Sequence, residues 1–263
     1  MSTQPHEPIL ITSDSEFETL AITENWPGSG SPIDPYLIEN LQIFTTTAAY
    51  AFSVYDTTAS FMVSGCSLKG TTGSVYLQNV QNGHLDGNTL LGQNSAAILH
   101  ESDNNIISNN TCDTSGPAIF LWSSDNSVLT NNIISSSLGV GIELAGSVNA
   151  TVRTNAMTDC GMTLHPWTLE QSSTHIIDDE NSVRGKPLYY YSGADSGTIP
   201  NDAGQVILAD CSNVTVEDLN FVDAAVGVML FFSSNITVAN IESTNHFWCG
   251  INLENCHNVT FVD

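Results

Sequence analysis

The chain has 263 residues and a formal net charge of −24, because 28 acidic residues outnumber four lysines and arginines. A surface this acidic repels nucleic acids and anionic membranes, so we exclude nucleic acid as a partner and anionic membranes as a docking surface. Every apolar run is too short to cross a membrane, and we expect no direct membrane insertion of this segment.

Residues 1–35 lie outside the repeat that fills the rest of the chain and predict an N-terminal cap. Residues 8–11 predict a short strand, residues 13–16 offer helix-capping side chains to a short amphipathic helix, and residues 26–32 form a turn-rich loop. A stack of repeats exposes an open strand edge and an open core at its first unit, and a terminal cap covers both.

A repeat of about 22 residues occupies residues 36–263. An apolar anchor recurs at steps of 22 or 23 residues, broken by one step of 64 residues between Leu144 and Leu208. Leu164 and Leu188 divide this long step into three irregular coils, which we place at residues 161–204. Self-similarity at such a period is typical of a solenoid. The regular anchors are Val54, Leu77, Leu99, Leu121, Leu144, Leu208, Leu230 and Leu253.

Each repeat unit alternates apolar and polar residues on both sides of a corner. In the unit 141–157, Ile142, Leu144 and Val152 are predicted to point inward, while Glu143 and Ala145 point outward. This two-residue period excludes helices, so the units must stack as parallel strands of an all-β fold. The chain ends partway through a unit, and we expect a truncated C-terminus followed by further domains of the same chain.

Asparagine marks two corners of the unit. It tolerates the left-handed backbone that a tight corner needs, and stacked amides can bond from coil to coil. At one corner the column is Asn88, Asn110, Asn132 and Asn155, with Cys66 one coil earlier. At the other corner, five residues after the anchor, we predict a structural ladder made of Asn82, Asn104, Asn126, Asn149, Asn213, Asn235 and Asn258.

The outward positions that flank the anchor are unusually apolar. Aromatic rings in a row on a flat sheet can pack against the faces of sugar rings. A contiguous exposed strip of this kind marks an interface, unless a loop, the irregular coils or a neighbouring domain covers it. The candidate carbohydrate-binding residues are Tyr76, Phe120, Trp122, His165, Trp167, Tyr189 and Phe231.

The sequence offers little support for a metal or cofactor site. The six cysteines lack zinc-type spacing and are predicted to be small buried side chains, with Cys249 and Cys256 as the one pair to check for a disulfide. His100 and His165 lie about three coils apart, too far to ligate one copper ion. We predict no cofactor and no metal, with calcium left open and copper disfavoured.

Several stretches resemble a known family. The repeats GIELAGSVNATVRTN, VILADCSNVTVED and VMLFFSSNITVAN resemble parallel β-helix proteins of the NosD-like, carbohydrate-binding and sugar hydrolase (CASH) type. Residues 25–43 and 181–216 are similar to an opening segment and a non-repeat signature of archaeal surface members. The resemblance implies a right-handed parallel β-helix, here of about ten coils, an extracellular, cell-surface or periplasmic location, and carbohydrate or copper binding. It transfers no catalytic residue, because fold does not fix function.

These observations favour a surface scaffold for carbohydrate recognition or adhesion, with a polysaccharide or cell-surface glycan as partner. Two alternatives stay open: a polysaccharide lyase or hydrolase acting in a groove beside the irregular coils, and a purely structural surface-layer module. Carboxylates clustered with Arg184 or Lys186 in a cleft would favour the enzyme. An aromatic row open to solvent would favour binding, and a covered row would favour the structural module.

Overall fold

The computed structural model describes residues 3–136 and 139–263. It confirms the predicted fold class, because the chain forms an all-β, mostly parallel solenoid of about ten turns. The helices are α1 (Asp14–Glu24) and α2 (Leu169–Ser173). The strands fall into two groups, which we call the first coil stack (residues 4–183) and the second coil stack (residues 186–262).

The first coil stack winds through three sheets, one strand of each sheet per coil. Its strands are β1 (Gln4–Pro5), β2 (Ile9–Ile11), β3 (Tyr36–Glu39), β4 (Leu41–Phe44), β5 (Tyr50–Thr57), β6 (Phe61–Ser64), β7 (Ser67–Lys69), β8 (Gly73–Val80), β9 (Gly83–Asp86), β10 (Thr89–Gly92), β11 (Ser95–His100), β12 (Ile106–Ser108), β13 (Thr111–Thr114), β14 (Ile119–Trp122), β15 (Val128–Thr130), β16 (Ile133–Ser136), β17 (Val140–Ala145), β18 (Thr151–Arg153), β19 (Ala156–Thr158), β20 (Gly161–His165), β21 (Ile176–Ile177) and β22 (Ser182–Val183).

The three sheets are parallel and keep the register that the anchors predicted. Sheet 1 is β2-β5-β8-β11-β14-β17-β20, sheet 2 is β3-β6-β9-β12-β15-β18-β21, and sheet 3 contains β1-β4-β7-β10-β13-β16-β19-β22. In sheet 1, Val54 lies opposite Leu77, and Leu144 lies opposite Leu164. The anchors therefore form one buried column, because inward positions repeat every second residue of each strand.

Helix α1 packs over the first coils. Ser13 is its N-cap, and the Ser13 hydroxyl accepts a hydrogen bond from the Glu16 amide at 3.3 Å. On the buried side, the Phe17 ring lies 5.0 Å from the Tyr36 ring and 5.2 Å from the Phe61 ring. The Asp14 carboxylate accepts a bond from the Thr58 amide at 2.8 Å, which ties the start of the helix to the end of β5.

The chain reverses direction at the end of the first coil stack. β22 pairs antiparallel with β23 through a two-residue turn at Arg184 and Gly185, whose φ angles are 53° and 75°. Two positive φ values are the signature of the mirror-image turns that suit a tight hairpin. Arg184 also forms ion pairs with Asp159 and Asp223, one on each side of the turn in sequence.

The second coil stack continues sheet 3 as β23-β25-β27-β29 and forms sheet 4 from β24-β26-β28-β30. Leu188 lies opposite Gln205, and Tyr191 rather than Leu188 lies opposite the anchor Leu208. The predicted anchor at Leu188 is therefore wrong by three residues, because the reversal resets the register. The strands are β23 (Lys186–Ser192), β24 (Gly197–Thr198), β25 (Gln205–Ala209), β26 (Val214–Val222), β27 (Val226–Phe231), β28 (Ser234–Thr244), β29 (Cys249–Glu254) and β30 (His257–Val262).

The second coil stack packs against the end of the first. Leu208 and Leu230 belong to the core of the second stack, whereas Met229 and Phe231 belong to the core of the first. The strands β25 and β27 are thus buried on both faces. At the junction, the Gln205 amide accepts a bond from the backbone N–H of Met162 at 2.8 Å and donates to the Met162 carbonyl at 2.7 Å.

The buried amide ladder runs along the other asparagine column, not the one predicted. Asn132 Oδ1 accepts from the Asn110 amide at 3.0 Å, Asn132 Nδ2 donates to the Ile107 carbonyl at 2.9 Å, and the pattern repeats from coil to coil. The predicted column is instead exposed, because each of its residues turns a left-handed corner with a φ angle between 53° and 61°. The asparagine ladder consists of Asn88, Asn110, Asn132, Asn155 and Asn181, and the exposed corners are Asn82, Asn104, Asn126, Asn149, Asn213, Asn235 and Asn258.

All six cysteines lie in the described ranges and carry free thiols, so Cys249 and Cys256 form no disulfide. Over the same ranges, neither helix has the length and hydropathy required to cross a membrane.

Candidate functional site

The outward face of sheet 1 carries a row of aromatic rings on successive coils. Strand register places Tyr76 and Phe120 on either side of Ile98, and His100 beside Trp122. These residues flank the buried anchors and point outward, because successive side chains of a strand alternate between faces. We call this surface the aromatic face and define it by Tyr55, Tyr76, Ile98, His100, Phe120 and Trp122.

Ring contacts join neighbouring strands of the aromatic face and also join two rings within β14. The ring centroids of Tyr55 and Tyr76 lie 5.5 Å apart, those of His100 and Trp122 lie 5.0 Å apart, and those of Phe120 and Trp122 lie 6.1 Å apart. Trp122 is 45% exposed, and the other members are half-buried. Rings held by their neighbours lose little freedom when a ligand binds, so the surface is preorganised.

Polar groups lie between the rings. The Tyr76 hydroxyl donates to Gln78 Oε1 at 3.0 Å and lies 3.4 Å from His100 Nδ1. Burial raises the pKa of Tyr76, and smaller contributions from Tyr55 and the Glu101 carboxylate act in the same direction. Tyr76 therefore remains a neutral hydroxyl that can both donate and accept a hydrogen bond.

Glu143 on β17 and His165 on β20 lie at the C-terminal end of the same face. His165 Nε2 is 3.4 Å from Glu143 Oε1, but it lacks hydrogen-bond geometry there and has no other partner among the described residues. The Trp248 ring, from the loop between β28 and β29, lies 4.7 Å from the His165 ring and is 46% exposed. An exposed indole and an unsatisfied ring nitrogen therefore lie side by side.

The surroundings of Glu143 and His165 favour their neutral forms. The Glu143 side chain is 13% exposed, and burial raises its pKa. Burial lowers the pKa of His165, and the Glu254 carboxylate opposes this effect. A carboxyl group with a raised pKa can hold a proton for donation to a bound molecule.

Two predicted binding residues lie in the interior instead, which corrects the prediction. Tyr189 is 9% exposed in the core of the second coil stack, where its hydroxyl donates to Asp202 Oδ1 at 2.9 Å. Phe231 is fully buried against the core of the first stack. Tyr189 faces the core of its own stack and Phe231 faces the junction, so neither can contribute to an open row.

The remaining predicted residues lie on sheet 1 or at the corner that directly follows β20. Tyr76, Phe120 and Trp122 belong to the aromatic face. His165 lies on β20 of the same sheet, two strands beyond β14, which carries Phe120 and Trp122. Trp167 is 63% exposed and packs on Gly146, at the corner that follows β20.

Sequence reasoning missed two aromatic residues of this region. Tyr55 follows the anchor Val54 directly, so the anchor register would have found it. Trp248 lies in a loop with no repeat position, and no sequence signal pointed to it.

The cleft beside the irregular coils has no carboxylate among its described lining residues, although Arg184 in this lining forms ion pairs with Asp159 and Asp223. It measures about 320 Å³, and its described lining residues are Val183, Arg184, Lys186, Gly204, Asn220 and Val222. Glycoside hydrolysis needs a pair of carboxyl groups across the scissile bond, and this lining supplies none.

The residues present do not fit a copper site. Among those the structure describes, no group of three or more His, Cys, Asp or Glu side chains could hold a metal ion. Burial raises the pKa of Cys112 and Cys160 to about 12, so their thiols stay protonated, whereas a metal ligand must be a thiolate. His84 instead contacts the Ser108 hydroxyl at 2.7 Å, in sheet 2 and away from the aromatic face.

The fold is similar to that of alginate lyase from Paenibacillus sp. str. FPU-7, with a TM-score of 0.53 and 14% identity over 95% of this chain and 99% of the lyase. At this identity the likeness concerns the fold alone. The surface protein and adhesin PfbA of Streptococcus pneumoniae matches with a TM-score of 0.30 and 10% identity over 87% of this chain and 82% of PfbA. The periplasmic alginate epimerase AlgG matches with a TM-score of 0.33 and 10% identity over 98% of this chain and 85% of AlgG. No curated protein matches the chain.

A family match covers the regular coils. Residues 36–160 match the family described as periplasmic copper-binding protein (NosD). This range includes the strands β3 to β19 and the whole aromatic face. Residues 36–160 are therefore similar to this family and lie in a parallel β-solenoid.

Proposed function

We propose that the protein recognises a carbohydrate on the aromatic face and serves as a scaffold outside the cytoplasm. The observation that carries this proposal is the row of rings from Tyr55 to Trp122, which is open to solvent and held in place across successive strands. An open aromatic row favours binding over a purely structural role, because a structural module has no use for an exposed indole.

The chemistry of the face suits a sugar. Pyranose rings present apolar C–H faces to aromatic rings and hydroxyl groups to hydrogen-bonding side chains. The face offers Trp122 and Phe120 for the first kind of contact, and Tyr76, Gln78 and His100 for the second. The six strands β5 to β20 span about 24 Å, which allows several sugar units to bind at once.

The family match and the similar solved structure also support the proposal. The matched family is described as periplasmic, which is consistent with a location in the periplasm or at the cell surface. An alginate lyase with the same fold is in keeping with a polysaccharide ligand. Adhesion would follow if that polysaccharide is anchored to a cell.

Cleavage of the bound glycan is the second candidate function. Glu143 favours it, because this half-buried carboxyl group has a raised pKa and lies at the end of the aromatic face beside His165. In such a hydrolysis Glu143 would donate its proton to the leaving oxygen as water forms the new bond to the sugar carbon, and neutral His165 would take the proton of that water.

Retention on a panel of immobilised polysaccharides, with and without calcium, tests both candidates. We expect selective retention on a particular glycan, and we expect Trp122→Ala to weaken it about tenfold because the open ring is lost. Phe44→Ala is the matched control, since Phe44 is 53% exposed on sheet 3, away from the aromatic face.

Product analysis on the retained glycan separates binding from cleavage. Fragments that disappear in Glu143→Gln, with retention unchanged, would establish the enzyme. Absence of retention on every glycan, or an equal loss in Phe44→Ala, would contradict carbohydrate recognition on this face.

A further inference from the structure

The charges around the aromatic face have one sign. Asp56 and Glu101 follow Tyr55 and His100 directly and are exposed. Every lysine and arginine of the chain is described, and none of them lies on sheet 1. They lie on sheets 2 and 3 and in the hairpin turn: Lys69, Arg153, Arg184 and Lys186.

Glu101 is tied to the most exposed ring of the face. Its backbone N–H donates to the Trp122 carbonyl at 2.9 Å, so the carboxylate and the indole lie on adjacent strands. The Glu101 charge also reaches the Tyr76 hydroxyl, because it contributes to the raised pKa of that group. An exposed indole beside an exposed carboxylate can bind a cation in two ways, through the ring face and through the charge.

The basic side chains cannot offset this charge. Arg153 lies 3.7 Å from Asp178, and Arg184 is engaged by Asp159 and Asp223, all outside sheet 1. The formal net charge of −24 adds a long-range field of the same sign. This negative field therefore repels a uronate polymer, which carries carboxylates, and attracts a cationic polymer.

We propose that the glycan bound by the aromatic face is an amino-sugar polymer with free ammonium groups. This inference rests on the proposed function and names its ligand class: the sugar rings pack on Trp122 and Phe120, and the ammonium groups pair with Glu101 and Asp56. The carboxylates of Glu101 and Asp56 occupy the same corner of the coil, two strand spacings or about 10 Å apart, and Asn79 holds that corner on the strand between them.

The corner geometry supplies a clean variant. Asp56, Asn79 and Glu101 all adopt left-handed backbone, with φ angles of 50°, 53° and 50°. Asparagine tolerates this conformation better than most residues, so Glu101→Asn removes the charge without straining the corner.

The experiment compares soluble oligomers of equal length by isothermal titration calorimetry: glucosamine oligomers, N-acetylglucosamine oligomers and alginate oligomers, at a pH where the free amines are protonated. We expect the glucosamine oligomer to bind at least tenfold more tightly than the acetylated one, and alginate not to bind. Glu101→Asn should reduce that preference at least threefold, and Trp122→Ala should weaken binding of the glucosamine oligomer. Glu217→Gln on sheet 4 is the matched control and should leave both unchanged.

Three other outcomes would overturn the inference. Equal affinity for the acetylated and free-amine oligomers, lost in Trp122→Ala, would overturn this inference and leave carbohydrate recognition intact. Binding of the glucosamine oligomer that Glu101→Asn and Trp122→Ala leave unchanged would reveal diffuse attraction to the acidic surface and overturn it as well. Absence of binding to any of the three oligomers, together with no retention on any polysaccharide, would overturn both proposals.

Discussion

The two coil stacks use the same outward strand positions in opposite ways. In the first stack, the residues that flank the anchor Leu121 are Phe120 and Trp122, and they form part of an open face. In the second stack, the residues that flank the anchor Leu230 are Met229 and Phe231, and they are buried against the core of the first stack. An outward position in a repeat is therefore exposed only where nothing else packs on that sheet.

The difference follows from the way the first stack ends. Its last coil would leave an open core, and the hairpin at Arg184 and Gly185 turns the chain so that sheet 3 of the second stack covers it. Strands buried on both faces are apolar at every position, as in other fully buried parallel sheets. The strand β27 and residues 206–209 of β25 have this composition, and the buried Gln205 at the start of β25 is hydrogen-bonded to Met162. The strands β8 and β14 are instead exposed on one side.

Truncation of one outward phenylalanine in each stack measures this contrast most directly. Phe231→Ala should lower the free energy of unfolding by about 3–5 kcal/mol, because a fully buried ring leaves a cavity between the two cores. Phe120→Ala removes a half-buried ring from the aromatic face and should cost about 1 kcal/mol or less. Urea unfolding followed by circular dichroism gives both values. Equal losses in the two variants would contradict the opposite burial of the two positions.

The asparagine columns give a second contrast, this time inside one coil. Asn132→Ala should lower the free energy of unfolding by about 3 kcal/mol, because it leaves the buried Asn110 amide and Ile107 carbonyl without partners. Asn126→Gly should change it by less than about 0.5 kcal/mol, because Asn126 is an exposed left-handed corner that glycine also adopts. Thermal unfolding of the two variants checks the difference. A larger loss of stability in Asn126→Gly than in Asn132→Ala would contradict it and would support the ladder predicted from the sequence.

Much of the fold could be predicted because its signal is local. The anchor period sets the strand register, so Leu77, Leu99 and Leu121 align in the structure as they do in the sequence. The same register brought Tyr76, Phe120 and Trp122 onto one face. The predicted ladder was wrong, because both columns contain the same residue. The sequence does not show that Asn132 bonds the neighbouring coil whereas Asn126 turns an exposed left-handed corner.

The rest depends on contacts between distant parts of the chain. Phe231 is buried because the second stack packs on the first, and Tyr189 faces its own core because the register of β23 is shifted by three residues after the hairpin. The repeat pattern contains no information on either effect. Trp248 reaches His165 from a loop 83 residues later in the sequence, where no period applies. The continuous apolar runs of β25 and β27 were the one available sign that these strands are covered on both faces.

The junction coil between the stacks should respond to pH through His175. Burial lowers the pKa of His175 from 6.5 to about 4, and the hydrogen bond from its Nε2 to the Gln171 carbonyl opposes this effect. Between these two pKa values the unfolded chain binds more protons than the folded one, so stability falls as the pH drops from 6.5 to 4.

From pH 7 to pH 5 the loss attributable to His175 should be about 2 kcal/mol, measured as the change in unfolding free energy in urea. His175→Asn should remove this part of the pH dependence and keep the fold, because asparagine already fills this role in the same column. Asn105 Oδ1 accepts from the Gly83 amide three coils earlier, as His175 Nδ1 accepts from the Ala150 amide. His257→Asn, on the exposed last strand, is the matched control and should retain the wild-type profile. An unchanged pH profile in His175→Asn would show that the junction coil is not the acid-sensitive part, and the loss would then have to arise in the carboxylates of the two stacks.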